Sequence, residues 1–292
     1  MIGCPIIMIK SGIMKVTNSI SELRRWRGQE GAVSWGLVPT MGFLHEGHLS
    51  LVRQARVEND RVAVSIFVNP TQFAPHEDLA TYPRNLERDL ALLQAEQVDL
   101  IFTPDAAAIY PSGFQTYITV EELSQRLEGA SRPAHFRGVA TVVAKLFNIF
   151  QPSRAYFGQK DAQQTVIIRQ MVRDLNFNVE VVIGPTVREA DGLALSSRNQ
   201  YLNLAERAAA TILYRALMKA QHRYNQGERQ AAALRQLIYD TIAQEPLARL
   251  DYASVAAQDS LLELETVNQP ALISLAVFIG RTRLIDNILI NS

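Results

Sequence analysis

What the sequence lacks removes several classes of function. It has one cysteine, Cys4, so no intramolecular disulfide framework is possible and a reducing, cytoplasmic setting is expected. Lysine plus arginine (29) equal aspartate plus glutamate (29), and without a basic excess a dedicated nucleic-acid binder is not expected. No apolar run approaches the roughly 18–20 residues needed to span a bilayer, so no membrane span is expected. The stretch from Met1 to Met14 is apolar in places but is interrupted by Pro5 and Lys10. Lacking a basic start and a small-residue cleavage site, it does not read as a signal peptide. Met8 and Met14 are alternative starts. Neither a G-x-x-x-x-G-K-[ST] nor a G-x-G-x-x-G motif occurs, which removes the P-loop and the usual dinucleotide fingerprint.

What is present is a chain of 292 residues, 48% of them hydrophobic. That length suggests two domains, or one large α/β unit with an appendage. Through the first two thirds, strand-like and helix-like segments alternate. Strands are expected at 32–38, 61–68, 98–102, 155–157 and 179–183, and helices at 47–59, 83–97, 139–150 and 161–175. This alternation implies βαβ units and an α/β fold with a parallel sheet covered by helices. After Pro185 the pattern changes to two alanine-rich helices, 204–224 and 228–243, followed by strands at 251–257, 273–279 and 282–290. The expected division is residues 1–184 as the larger domain and 185–292 as a smaller α+β lid.

Ligands of open parallel sheets sit beyond the carboxyl ends of the strands, which singles out three loops. The first, after strand 32–38, runs Pro39-Thr40-Met41-Gly42-Phe43-Leu44-His45-Glu46-Gly47-His48. Its two glycines permit close backbone approach, and the helix that follows offers free N–H groups to an anion. Near their ordinary pKa of about 6.5, both charge states of the histidines are expected to be accessible. A metalloprotease needs histidines at i and i+4, whereas His45 and His48 are at i and i+3. The second loop, Phe157-Gly158-Gln159-Lys160-Asp161, places a cation before a helix that Asp161 can cap. The third, 188–199, contains Ser196, Ser197 and Arg198, a set able to clamp a phosphate chain. Taken singly, each loop also has an ordinary structural reading as a cap or a turn. Arg24, Arg25 and Arg27 read as a solvated helix face, and His76 and His222 as exposed side chains.

Six blocks, PTMGFLHEGH (39–48), SIFVNPTQF (65–73), YPR (82–84), RPAHFRGVATVV (132–143), FGQKD (157–161) and VREADGLALSSR (187–198), resemble the pantoate–β-alanine ligase family, in order, from about Val33 to Asn287. The histidine loop alone resembles only the wider HxGH nucleotidylyl-transferases, a resemblance that implies a Rossmann-like parallel sheet with helices on both faces. The family resemblance implies a two-step reaction. Pantoate carboxylate attacks the α-phosphorus of ATP, releasing pyrophosphate, and β-alanine then attacks the acyl carbon, giving pantothenate and AMP. It also implies Mg²⁺ with the ATP and a homodimer formed through the larger domain.

By the same resemblance, Met41, Gly42, Phe43, Leu44, His45, Glu46, Gly47 and His48 line the ATP site, with His48 as proton donor and His45 supporting the phosphates. Gly158, Gln159, Lys160, Asp161, Val187, Leu195, Ser196, Ser197 and Arg198 hold the nucleotide, Lys160 and Arg198 supplying charge at the α-phosphorus. Gln72 and Gln164 bond pantoate hydroxyls beside Pro39 and Met41, and Arg132 and His135 join the substrate site. Asp89 is the implied metal-side carboxylate, in an acidic cluster interrupted by Arg88. Gln159 stands where many family members carry glutamate. Two rival readings are an adenylating enzyme that stops at a nucleotide adduct and a non-catalytic adenine-nucleotide sensor.

Overall fold

A computed structural model describes residues 14–75 and 77–290. Cys4, His76 and the start-codon positions Met1 and Met8 lie outside them. The chain runs β1 (Lys15–Thr17), α1 (Ile20–Gln29), β2 (Trp35–Thr40), α2 (Glu46–Glu58), β3 (Arg61–Ile66), α3 (Leu86–Ala95), β4 (Leu100–Phe102) and α4 (Ala106–Ile109). It continues through α5 (Glu128–Ser131), α6 (His135–Phe150), β5 (Arg154–Gly158), α7 (Ala162–Asp174) and β6 (Glu180–Gly184). The last third holds α8 (Leu204–Ala209), α9 (Ile212–Asn225), α10 (Ala231–Ile242), β7 (Ala248–Ala257), β8 (Ala271–Ile279) and β9 (Thr282–Ile290).

The first six strands form one parallel sheet in the order β1-β4-β3-β2-β5-β6. Strand side chains alternate between faces, and both faces here are apolar. Leu37, Ala63, Phe102, Ala155 and Phe157 pack with α1, α6 and α7. Val38, Val64, Ile101 and Tyr156 pack with α2 and α3 on the other side. The expected doubly covered parallel sheet is therefore present. From β2 the chain proceeds outward to β3 and β4, then returns to lay β5 on the other side of β2. The β2–β5 junction is the point where strand order reverses, and there the loops leaving two neighbouring strands part to form a crevice.

The smaller antiparallel sheet, β7-β8-β9, explains the unbroken apolarity of β8. Its Ile273, Leu275 and Val277 pack on α9 and α10, while Leu272 packs against the core of the larger sheet. Ser274 and Phe278 face the cleft between the two sheets.

Several boundaries differ from the sequence reading. β1 has no counterpart in it, because three residues on a sheet edge carry too little periodic signal. Helix α6 starts one turn before the expected 139, its first turn being polar. The expected 204–224 helix is two helices, α8 and α9, separated at Ala210-Thr211. The break lets Ala209, Ala210, Ile212 and Leu213 all enter one core. α3 begins at Leu86, not at Pro83, because the Asn85 side chain caps it, accepting from Arg88 N–H at 3.1 Å. His222, Arg24 and Arg25 are exposed as expected.

Candidate active site

At the carboxyl end of β2, Thr40 orders the turn, its Oγ1 accepting the Gly42 N–H at 3.1 Å. Gly42 has φ +82, and a Cβ there would lie 2.9 Å from Ile66 Cγ2, so the turn demands glycine. Phe43 follows at φ +50. Asp89 reaches across from α3 and pins both, its carboxylate accepting the N–H of Phe43 at 2.7 Å and of Leu44 at 2.8 Å. Burial pushes the Asp89 carboxyl up from its ordinary value, opposed by those two amide donors.

His45 is the N-cap of α2, and its Nδ1 accepts the Gly47 N–H at 3.2 Å. The His45 N–H in turn donates to His48 Nδ1 at 3.3 Å. With both Nδ1 atoms accepting, each neutral ring carries its proton on Nε2. The rings lie 4.1 Å apart. Burial lowers the His45 pKa to about 4, helped by Lys160. Burial, then His45 and Lys160, push His48 well below the ordinary value. This corrects the expectation that either charge state is accessible near neutrality: a cation here loses its hydration and faces Lys160. The pair presents neutral N–H donors.

Two connected cavities open beyond β2 and β5. The smaller, about 210 Å³, is lined by His45, Gly47, His48, Gly158, Val187, Leu195 and Ser197, with an apolar floor of Pro39, Val139, Val142 and Val143. The larger, about 840 Å³, lies between the two sheets and includes Arg132 and His135. Met41, Gln72, Lys160, Asp161, Gln164, Ser196 and Arg198 line both. Three separate sequence segments are thus brought together around the strand-order reversal.

Gln72 sits on a short 3-10 turn, Pro70–Gln72. Its Oε1 accepts from Asn69 Nδ2 at 3.1 Å, and its Nε2 lies 3.2 Å from Met41 Sδ. Its backbone carbonyl accepts from His135 Nδ1 at 2.9 Å and Arg132 Nη2 at 3.3 Å. His135 therefore carries its proton on Nδ1, and burial, with Arg132, lowers its pKa to about 4. Arg132 is itself in a two-pronged pair with Glu77, at 2.5 and 2.6 Å. Arg198 forms a second such pair with Asp78, at 3.0 and 2.9 Å. Burial opposes ionisation of Asp78, but the Arg198 hydrogen bonds and charge outweigh it and hold the carboxyl below its ordinary value. Lys160 Nζ lies 3.5 Å from Asp161 Oδ1.

Not every expected residue reaches a cavity. Leu44 is core, Glu46 is exposed and paired with Arg53, and Gly42 and Phe43 shape the turn without lining it. Asp89 is 1% exposed and both its oxygens accept backbone N–H groups, so in this structure it orders the Phe43–Leu44 turn and lines neither cavity. Gln159 lines neither of the two cavities. Its Nε2 donates to Asn287 Oδ1 at 3.1 Å, while Asn287 Nδ2 donates to the carbonyls of Gln159 and Lys160 at 3.1 and 2.8 Å. An amide can donate here where a glutamate could not. Asn287, buried on β9, was not singled out from the sequence, because only the folded small sheet brings it onto the 159–161 turn. Asn69 and the α6 valines lie within blocks 65–73 and 132–143, but only the packing of the 69–72 turn on α6 places them at the cavity. Asn69-Pro70 at the end of β3 was a signal that read only as a turn.

A model described as Pantoate-beta-alanine ligase matches residues 15–289. Among relatives, a pantothenate synthetase of Herpetosiphon aurantiacus is 61% identical over 276 residues, covering 94% of this chain and 99% of that protein. One from Roseiflexus sp. is 63% identical over 274 residues, covering 94% and 98%. The crystal structure of pantoate-beta-alanine ligase (pantothenate synthetase) from Thermus thermophilus superposes with a TM-score of 0.90 at 49% identity, covering 94% of this chain and 99% of that one. Pantoate-beta-alanine ligase from Francisella tularensis, complexed with beta-gamma ATP and beta-alanine, gives 0.79 at 38% identity, covering 94% and 97%.

Proposed function

The chain belongs to the pantoate–β-alanine ligase family, and from that premise we propose how its cleft performs the ATP-dependent condensation of pantoate with β-alanine. The reaction runs through pantoyl-adenylate and yields pantothenate, AMP and pyrophosphate. The observation that carries the site assignment is the convergence of two neutral histidine donors, Lys160, Arg198 and two glutamines on one crevice at the β2–β5 junction.

ATP lies in the smaller cavity, adenine beside Gly158 and Val187, phosphates toward His45, His48, Ser196 and Ser197. The Nε2–H groups of His48 and His45 donate to phosphate oxygens. Such donors need no reorganisation as charge moves onto the leaving pyrophosphate, the general advantage of a preset electrostatic site. Lys160 and Arg198 supply the positive charge that lets an anionic carboxylate approach the α-phosphorus. Pantoate occupies the shared region, its dimethyl centre against Pro39 and Met41 and its hydroxyls on the amides of Gln72 and Gln164. The Gln164 side chain makes no protein hydrogen bond among the described residues, which leaves its donor and acceptor free for a hydroxyl. Arg132 and His135 fix the Gln72 carbonyl and so act on the substrate through Gln72. β-Alanine enters through the wider cavity once the adenylate has formed. Proximity of the two reactants supplies much of the acceleration, and no covalent enzyme intermediate is needed.

Mg²⁺ fits as an ion carried by the ATP phosphates. Among the described residues no group of three His, Cys, Asp or Glu is arranged to hold a metal, and Mg²⁺ commonly takes one or two carboxylates plus substrate phosphates. Asp161 is the carboxylate on both cavities that no arginine grips, and it is the residue that would complete such a shell. The ion would supply charge neutralisation at the leaving pyrophosphate.

We divide the chain into residues 1–184 and 185–292, a boundary supported by a core cluster built wholly from residues 193–290. We also place the protein in the cytoplasm. Among the described residues no helix is long and apolar enough to cross a membrane. We also propose a homodimer formed through the larger domain, as the family resemblance implies.

Pyrophosphate release from ATP and Mg²⁺ tests the reaction. A stoichiometric burst with pantoate alone, becoming sustained turnover with AMP and pantothenate on adding β-alanine, is the expected result. ATP binding with no pantoate-dependent release would sink the assignment.

A further inference from the structure

The two cations shared by both cavities, Lys160 and Arg198, are neutralised to different degrees. Lys160 has Asp161 at 3.5 Å, half-exposed and loosely placed. Arg198 is held by Asp78 through Nε and Nη2 at 3.0 and 2.9 Å, both partners largely sheltered from solvent. Tyr201 adds a donor to the same carboxylate at 3.4 Å. The neighbouring Glu77 turns to Arg132 instead, so one dipeptide on the loop before α3 engages two arginines that both line the larger cavity.

A carboxylate and a phosphate use the same planar N–H fork of an arginine. A polyphosphate arriving in the smaller cavity therefore meets, at Arg198, a charge that is already matched. We propose that Asp78 competes with the polyphosphate for Arg198, and so sets how tightly ATP is held and how readily pyrophosphate leaves. The proposal rests on the reading that Arg198 faces the phosphates.

The physical logic concerns uniform binding. A charge that grips ATP, transition state and pyrophosphate alike lowers KM without raising kcat. After adenylate formation, pyrophosphate must depart before β-alanine completes the turnover. An uncompensated Arg198 would retain it. Asp78, tethered within reach of the same fork, re-forms its pair as pyrophosphate leaves and holds the arginine in position for the next ATP. No covalent bond changes in this exchange. Asp78 is thus a positioning residue acting through Arg198.

The test measures pyrophosphate affinity by calorimetry, and KM for ATP and kcat by turnover, on the full-length enzyme. The variants are Asp78→Asn, Asp78→Ser, Arg198→Met and the Asp78→Asn/Arg198→Met double, each checked for folding by near-ultraviolet circular dichroism. Both Asp78 variants are expected to bind pyrophosphate about tenfold more tightly, or about 1.4 kcal/mol, with lower KM for ATP and lower kcat. A merely structural role would weaken binding. In the Arg198→Met background the Asp78 substitution is expected to have no effect. Unchanged or weaker pyrophosphate binding in folded Asp78 variants overturns the proposal, as does failure of both to fold, which would assign Asp78 to the fold itself. Wild-type pyrophosphate affinity in Arg198→Met would instead overturn the phosphate reading of Arg198. Loss of affinity there, with Asp78→Asn unchanged, would overturn the competition alone.

Discussion

His45 and His48 cap one another at the start of α2. The His45 N–H donates to His48 Nδ1 at 3.3 Å, and the His45 Nδ1 accepts the Gly47 N–H at 3.2 Å. The consequence is chemical as well as structural. Using both Nδ1 atoms as acceptors for backbone fixes each tautomer with Nε2–H on the free side, so the helix cap and the proposed phosphate donors are the same two rings.

Replacing His48 with alanine should lower turnover by about a hundredfold or more, the range for a positioned donor, as read by pyrophosphate release. Wild-type turnover in a folded variant would remove His48 from the mechanism. Because His45 titrates near 4 and His48 well below its ordinary value, the pH profile of kcat/KM, which reports the free enzyme, should show no histidine inflection between about 6 and 7. An inflection there that disappears in His48→Ala would contradict the neutral-donor assignment.

Asp89→Asn tests whether this carboxylate serves the backbone or a metal. The two backbone donors use different oxygens of Asp89, so in asparagine one of them would face an NH2 group that cannot accept. Leaving a buried N–H unpaired costs about 1–3 kcal/mol, to be seen in urea unfolding. The Mg²⁺ concentration needed for half-maximal activity should stay within about twofold of wild type. A tenfold rise in that requirement without loss of stability would return Asp89 to the metal.

Gly138 on α6 touches the turn that carries Gln72: a Cβ there would lie 2.4 Å from Thr71 O and 2.7 Å from Gln72 N. Alanine ordinarily favours a helix interior by about 1 kcal/mol over glycine, but here it must push the turn aside. Gly138→Ala is expected to raise KM for pantoate by about tenfold or more while KM for ATP stays nearly constant. Equal changes in both, or none, would mean that Gln72 is not held by this contact.

Stability should fall as the solution is acidified from about pH 6.5 to about pH 4. His45 and His135 have folded-state pKa values near 4, below the unfolded value of about 6.5. In that window the unfolded chain binds more protons, so stability rises with pH. His135→Gln should reduce the loss of Tm between pH 7 and pH 5. If that variant loses Tm as steeply as wild type, His135 is not a source of the acid sensitivity.

Much of the larger sheet could be read from the sequence because strand residues such as 62–64 and 100–102 are apolar on both faces, and a parallel sheet buried between helices needs that pattern. The three site loops were legible because they follow such strands. Helix ends were less so: polar first turns, as at His135, give no apolar signal, and a capping asparagine such as Asn85 outranks a nearby proline.

The sequence by itself determined the parallel sheet, the carboxyl-end loops and the set of histidines, lysine, arginines and glutamines placed on them. Local periodicity and residue chemistry suffice for the sheet, the loops and their His45, His48, Lys160 and Arg198, whereas Gln72, Gln164 and Arg132 rest on the family resemblance. Only the tertiary structure decided which charges are free. Asp89 faces backbone amides, Gln159 faces Asn287, Asp78 faces Arg198, and His45 and His48 are neutral. Each of these depends on partners brought together from distant parts of the chain, and on burial, which sets the cost of a charge and which no local pattern encodes.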